Sequence, residues 1–170
     1  MQLTGKQIIE RNIVTNHCAE ALQQQGVDVR VGKVYKYAGG CDCGEIPARG
    51  KTILPRCVEV SPLPSRDEDT WYLPAGYYEL RLMEAVKIPN NVSLHFKTRS
   101  SLIRCGAIIH SGQFDAGFET DLAGCFLQVL WPIYLQRGAR VAQAICFETE
   151  EVDRDNLYNG QWQNDKQRNE

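Results

Sequence analysis

No stretch of this chain approaches the ~20 uninterrupted apolar residues that a membrane-spanning helix needs, and its N-terminus has no apolar signal-peptide core. The expectation is a cytoplasmic protein with no membrane partner. A basic excess is missing too. The chain has 19 Lys and Arg against 21 Asp and Glu, a formal charge of −2, and nothing supplies the basic stripe of a general nucleic-acid binder. Also lacking is a second metal-binding cysteine pair. Cys41 and Cys43 form a C-x-C, but only isolated Cys57 follows, whereas zinc sites usually show paired cysteines or histidines at short spacing twice over. The 7 cysteines are an odd, scattered set, which implies reduced thiols rather than a disulfide framework. Cys105 and Cys146 sit in apolar surroundings and read as small core residues.

What is present fits one globular domain. At 170 residues, 43% hydrophobic and 24% charged, the chain can bury a real core, and two full domains would be crowded. The domain is expected over residues 1–163, followed by a polar tail from Asn164 to Glu170 that is mobile unless a ligand orders it. Thr4 and Gln7 make a capping box, and Ile8, Ile9 and Ile13 have helical spacing, so a helix is expected from Gly5 to Val14. A short helical turn is expected in Ala19 to Gln24. The period then changes to two: Val27, Val29 and Val31 alternate with Asp28, Arg30 and Gly32. Further strand runs are Trp71 to Leu73, Tyr77 to Leu82, Val92 to Lys97, Ala107 to His110, Cys125 to Leu130 and Val141 to Phe147. Turn signals separate them at short intervals, and Ser61 to Asp69 reads as an exposed loop. Many short, punctuated strands predict a mainly β sandwich or barrel with a short N-terminal helix.

The richest chemistry lies in Arg99 to Phe118, RSSLIRCGAIIHSGQFDAGF. Ser100 and Ser101 offer hydroxyl donors, while Arg99 and Arg104 carry permanent charge for phosphate oxygens. About one β-hairpin later, Asp115 is a carboxylate able to take a proton from water. Phe118 supplies a flat face for a sugar or base. Together these form a kit for holding a nucleoside triphosphate and aiming a water at it. Taken singly each residue has an ordinary structural reading: Asp-Ala-Gly as a turn, the serines as loop hydroxyls, Gln143 as a partner for buried backbone, Asp28 as a turn cap, Phe118 as core and Arg104 as a surface ion pair.

An ordered set of segments changes that balance. GVDVRVG (Gly26 to Gly32), LPAGYYEL (Leu73 to Leu80), VKIPNNV (Val86 to Val92), RSSLIRCG (Arg99 to Gly106), FDAGF (Phe114 to Phe118), RVAQAICF (Arg140 to Phe147) and YNGQWQ (Tyr158 to Gln163) resemble the dUTPase and dCTP deaminase superfamily, most of all its archaeal-type dUTPases. The resemblance covers nearly the whole chain. It implies a distorted jelly-roll β-barrel of the β-clip kind, a homotrimer with shared active sites, and hydrolysis of dUTP to dUMP and pyrophosphate by water attack at the α-phosphate. It implies that Asp115 orients and deprotonates the water, and that Arg99, Ser100, Ser101, Arg104 and Gln143 hold phosphates. Phe118 would pack on deoxyribose, with Phe114 and Gln113 beside the sugar and base. Asp28 would support the waters of a Mg²⁺ ion carried on the substrate, and Tyr158 and Gln163 would belong to a C-terminal lid. Uracil would be read by backbone groups of Ala107 to Phe114.

The same resemblance supplies the rivals, a dCTP deaminase or a bifunctional deaminase and diphosphatase. Related dCTP deaminases carry a catalytic Glu on the strand after the aromatic, and counting from Phe118 that position is Cys125, a poor acid/base at neutral pH. Gln161 stands before Trp162 where deaminases usually have Lys. Zinc-dependent deaminases are excluded, since neither H-x-E nor P-C-x-x-C occurs. Thr120 stands where the family commonly has Gly, which opens a third alternative, a homologue that binds a deoxynucleotide without turnover.

Overall fold

Thr4 begins the first helix as the sequence predicts. Its hydroxyl accepts from the Gln7 N–H at 3.3 Å, and the Gln7 side chain accepts from the Thr4 N–H at 2.9 Å. Helix α1 covers Gly5–Glu10 and stops there, short of Val14, because Asn12 turns the chain through a left-handed conformation with φ of 53°. The computed structural model describes residues 1–40 and 43–163. Cys41 of the C-x-C pair and the tail from Asn164 to Glu170 lie outside them.

The strands in chain order are β1 (Val14–Thr15), β2 (Leu22–Gln23), β3 (Gly26–Tyr37), β4 (Cys57–Glu59), β5 (Thr70–Leu73), β6 (Gly76–Leu82), β7 (Ala85–Lys87), β8 (Val92–Thr98), β9 (Ala107–His110), β10 (Glu119–Thr120), β11 (Gly124–Val129), β12 (Ile133–Gln136) and β13 (Arg140–Glu148); α2 (Ser100–Arg104) joins β8 to β9. The main sheet runs β8-β13-β3-β6-β11-β9, antiparallel throughout. β5 pairs with β12, and β1-β7-β10 forms a small third sheet. The expected short helical turn is a 3₁₀ turn over Ala19–Ala21, after which the chain enters β2.

The main sheet curls into a nearly closed barrel because its end strands, β8 and β9, meet. They do so through hydroxyls rather than a ladder. Thr98 Oγ1 accepts from the Ile109 N–H at 2.9 Å and donates to the Ile109 carbonyl at 3.2 Å. Ser111 Oγ treats Phe96 the same way, accepting from its N–H at 3.0 Å and donating to its carbonyl at 3.4 Å. Beyond them Leu94 pairs with Phe114. Inside lie Val27, Val29, Val31, Leu80, Leu94, Leu127, Ala142 and Ala144, all fully buried, from the period-two alternation that puts every second side chain inward. Trp71 is fully buried at one end, its Nε1–H donating to the Val60 carbonyl at 2.8 Å. Glu84 is buried completely and accepts from Arg30 Nε at 2.7 Å and the Arg30 N–H at 2.8 Å. No helix among the described residues is long and apolar enough to cross a membrane.

Replacing Thr98 by isosteric Val removes the hydroxyl and leaves both backbone groups of buried Ile109 unpaired. The expected cost is about 1–3 kcal/mol of stability, read as a lower urea midpoint with an unchanged slope.

Candidate functional site

The return of the chain along β8 sets the geometry. Asp115 opens a tight turn in which the Phe118 N–H donates to the Asp115 carbonyl at 3.0 Å. Gly117 takes φ of +88°, and a Cβ there would sit 2.8 Å from Leu157 Cβ, so the turn requires glycine twice over. Asp115 is exposed, with Gln113 Nε2 donating to its Oδ1 at 3.3 Å. Phe118 is buried between Phe114 and Tyr158, with ring centroids 5.2 and 5.4 Å away.

A C-terminal segment clamps this turn. The Tyr158 N–H donates to the Ala116 carbonyl at 2.9 Å, Gln163 Nε2 donates to the Gly117 carbonyl at 2.9 Å, and Gln163 Oε1 accepts from the Glu119 N–H at 3.2 Å. Gln161 binds both backbone groups of Thr52 at 3.0 and 2.8 Å, tying this segment to the long loop that carries Leu54. Between these parts and the outer face of β6 and β11 is a cavity of about 540 Å³. Asp115, Gln113, Phe118 and Tyr158 line it, as do Glu79 and Arg81.

A second polar cluster sits where β3, β8 and β13 run side by side. Asp28 is 1% exposed. Its Oδ2 faces Arg99 Nε at 3.1 Å and Arg140 Nη1 at 3.3 Å, and Gln143 Nε2 donates to Oδ1 at 3.5 Å. Arg99 Nη1 also donates to the Arg140 carbonyl at 3.2 Å. The two guanidinium side chains keep about a third of their surface exposed. One buried carboxylate thus holds two cations side by side and leaves a surplus positive charge facing solvent. That surplus suits an anion with several oxygens. Ser100 and Ser101 are exposed at the start of α2, and Arg104 is exposed at its end.

The two clusters are not together in one chain. Since Leu94 pairs with Phe114, Asp115 lies beside Ser93, and Arg99 is six positions further along the strand direction, about 20 Å at ~3.3 Å per position. Asp115 marks one end of β8 and the phosphate-type residues the other. Of the backbone of Ala107 to Phe114, expected to read a base, Ala107 to His110 pair along one edge with β11, Ile109 is engaged on the other edge by Thr98 Oγ1, and Ser111 to Gln113 stand outside a ladder. Cys125 borders the cavity, but as a buried thiol rather than an exposed acid/base group. It shares the inward face of β11 with Leu127 and Val129, is 2% exposed, and its thiol is pushed up to about 12 by burial, with Glu79 adding to the shift and Arg81 opposing it. On the cavity side of β11 stand Gly124 and Phe126. Sequence reasoning missed Arg140, Glu79 and Arg81. Arg140 stands in the RVAQ segment, and Glu79 and Arg81 are two apart in a strand, a spacing that puts both on one face. Among the described residues no three His, Cys, Asp or Glu side chains are grouped as metal ligands.

Sequence comparison fits this architecture. A profile of the dCTP deaminase-like family matches residues 2–149, and the chain belongs to that family. It is 34% identical over 143 residues to the deoxyuridine 5'-triphosphate nucleotidohydrolase of Methanocaldococcus jannaschii, covering 84% of this chain and 88% of the relative. A probable enzyme of the same name from Aeropyrum pernix is 31% identical over 166 residues, covering 96% and 98%. Among solved structures, the 2'-deoxycytidine 5'-triphosphate deaminase from Agrobacterium tumefaciens superposes with a TM-score of 0.59 at 19% identity; the match covers 85% of this chain and 47% of that one, so this chain spans about half its length. That likeness is one of fold.

Burial raises the Asp28 carboxyl above its ordinary 3.8, and Arg99, Arg140 and the Gln143 amide oppose the shift without cancelling it. A raised folded-state value means that the folded protein holds this proton more tightly than the unfolded chain. The group's contribution to stability is therefore full below 3.8 and is lost as pH rises through its folded value. Unfolding free energies of wild type minus Asp28→Asn, measured from acid toward neutral pH, are expected to fall across that window; a rising difference would refute the assignment.

Proposed function

We propose that this protein is a dUTP diphosphatase, hydrolysing dUTP to dUMP and pyrophosphate. One observation carries the reading: an exposed carboxylate, Asp115, stands at the wall of a nucleoside-sized cavity beside the aromatic face of Phe118. The long matches to relatives named deoxyuridine 5'-triphosphate nucleotidohydrolase support it.

Asp115 accepts a proton from the attacking water, and Gln113, already bonded to it, holds the carboxylate in place. Phe118 packs against the sugar, leaving no room for a 2′-hydroxyl. Cleaving a phosphoanhydride demands positioning and charge neutralisation more than covalent chemistry. Arg99, Ser100, Ser101 and Gln143 take the outer phosphates, with Arg140 joining them and Arg104 at the margin. With the attacked phosphorus within a water's reach of Asp115, those phosphates cannot extend about 20 Å along β8. Each site is therefore completed by the arginine end of another copy, in a homotrimer. Mg²⁺ carried on the substrate phosphates would supply charge neutralisation there without a dedicated set of protein ligands. Asp28, engaged by two guanidiniums, positions the arginines. Tyr158 and Gln163 close the sugar side of the cavity.

Deamination of dCTP is less well supported, since no carboxylate stands on β11. Purified protein with Mg²⁺ is expected to release pyrophosphate from dUTP and no ammonia from dCTP. Ammonia from dCTP would favour the deaminase, and neither product a non-catalytic binder. Asp115→Asn is expected to lower kcat by about 10²–10⁴-fold with nucleotide affinity little changed; full activity would remove Asp115 from the mechanism. Light scattering should give a trimer, and an active monomer would contradict shared sites.

A further inference from the structure

The cavity that holds Asp115 and Phe118 has a charged floor. Glu79 and Arg81 alternate onto the same face of β6, opposite Phe126 and Gly124 of β11. Arg81 Nη2 lies 3.3 Å from Glu79 Oε1, and the two residues are 9% and 5% exposed. Gly124 makes room for them: a Cβ there would come within 3.3 Å of Arg81 Nη1. The rest of the lining is largely apolar, including Leu54, Phe114, Leu122 and Trp162.

A buried ion pair of this kind is a poor source of stability, because an apolar pair of similar volume would serve the fold at least as well. In a ligand cavity it has another use. A few convergent polar groups within apolar walls set orientation and specificity. Phe118 belongs under the sugar and Asp115 beside the phosphorus, which leaves the inner wall on β6 and β11 for the base. A carboxylate and a guanidinium side by side offer an acceptor next to a donor.

We propose that Glu79 and Arg81 read the edge of a uracil base in this cavity, Arg81 donating to the 4-keto oxygen and Glu79 accepting from N3–H. The inference rests on the nucleotide-binding reading given above and assigns its base selectivity to side chains of β6. Cytosine in the same pose brings its 4-amino group against the guanidinium and its N3 lone pair against the carboxylate, so both contacts become repulsive. A site built to satisfy one hydrogen-bonding edge rejects the wrong one strongly.

The test is calorimetric binding of α,β-imido-dUTP and α,β-imido-dCTP to the full chain, in wild type, Glu79→Gln and the double variant Glu79→Leu/Arg81→Met. The double variant removes both members of the ion pair together, and circular dichroism melts establish that it folds. Wild type is expected to prefer the uracil analogue, and the double variant to lose that preference by about 100-fold. Glu79→Gln, which keeps the side-chain shape, should lose about tenfold and decides the matter if the double variant does not fold. An unchanged preference in a folded variant overturns this inference while leaving the nucleotide reading intact. Binding of neither analogue by wild type overturns both. Ammonia release from dCTP that disappears in Glu79→Gln would overturn the base-reading role by making Glu79 an acid/base group.

Discussion

Thr98 and Ser111 replace a strand ladder with two hydroxyls, and this substitution determines where the chemistry can lie. A hydroxyl is both donor and acceptor, so each one satisfies the N–H and the carbonyl of a single residue on the facing segment. The β8/β9 edges are thereby closed against solvent without a continuous register. The chain between His110 and Phe114 can leave the sheet, and it carries Gln113 to the cavity wall before rejoining β8 at Leu94. Rigid strands on one side and the C-terminal clamp on the other hold the Asp115 turn.

Among the described residues the barrel buries three carboxylates, and each meets arginine differently. Glu84 takes both the side chain and the backbone of Arg30, a closed arrangement that joins β3 to the start of β7. Glu79 pairs with Arg81 along the cavity floor. Asp28 faces two arginines. Burial raises the cost of each charge, and only pairing makes it tolerable. Glu84 and Arg30 balance one for one, whereas Asp28 with Arg99 and Arg140 leaves one cation in excess at a surface. Charge stoichiometry thus separates the pair that braces the fold from the cluster suited to receiving an anion.

Alternation was the strongest signal in the sequence. The β3 valines, β8 and β13 appear within a residue or two of where the pattern puts them, because each buries one face against the barrel core. Weaker elements had no such pattern. β7 and β12 are short and held by partners far along the chain, Val14 and Trp71 among them, and local periodicity carries no trace of a distant partner. The end of α1 depended on Asn12 adopting positive φ, which composition permits but does not dictate. At the site, Asp-Ala-Gly was legible because the turn needs Gly117. The Glu79–Arg81 pair was not, since two opposite charges on a strand usually face water, and only tertiary covering by Leu54 and Trp162 makes them a cavity floor. Counting to Cys125 located a strand position but not its face. Residues in the loop before β11 decide which side chains turn inward, and there a one-residue change swaps the faces.

Proximity in sequence was the most misleading cue. Arg99 and Asp115 are sixteen positions apart, yet the intervening α2 turn and β9 carry the chain back along β8, so the arginine stays at the turn while the acid travels to the far end. The surroundings of the arginine end bear on how the proposed site is completed. Ile103, Leu130 and Trp131 are exposed by 51%, 55% and 74%, and they converge there because Leu130 and Trp131 both donate backbone N–H groups to the Gly106 carbonyl just after α2. Large apolar side chains gathered beside a cationic cluster cost solubility unless a neighbouring molecule covers them. Burial of this patch against another molecule would supply association energy, and the neighbouring guanidiniums, one in excess over Asp28, would favour an anionic group at the same surface.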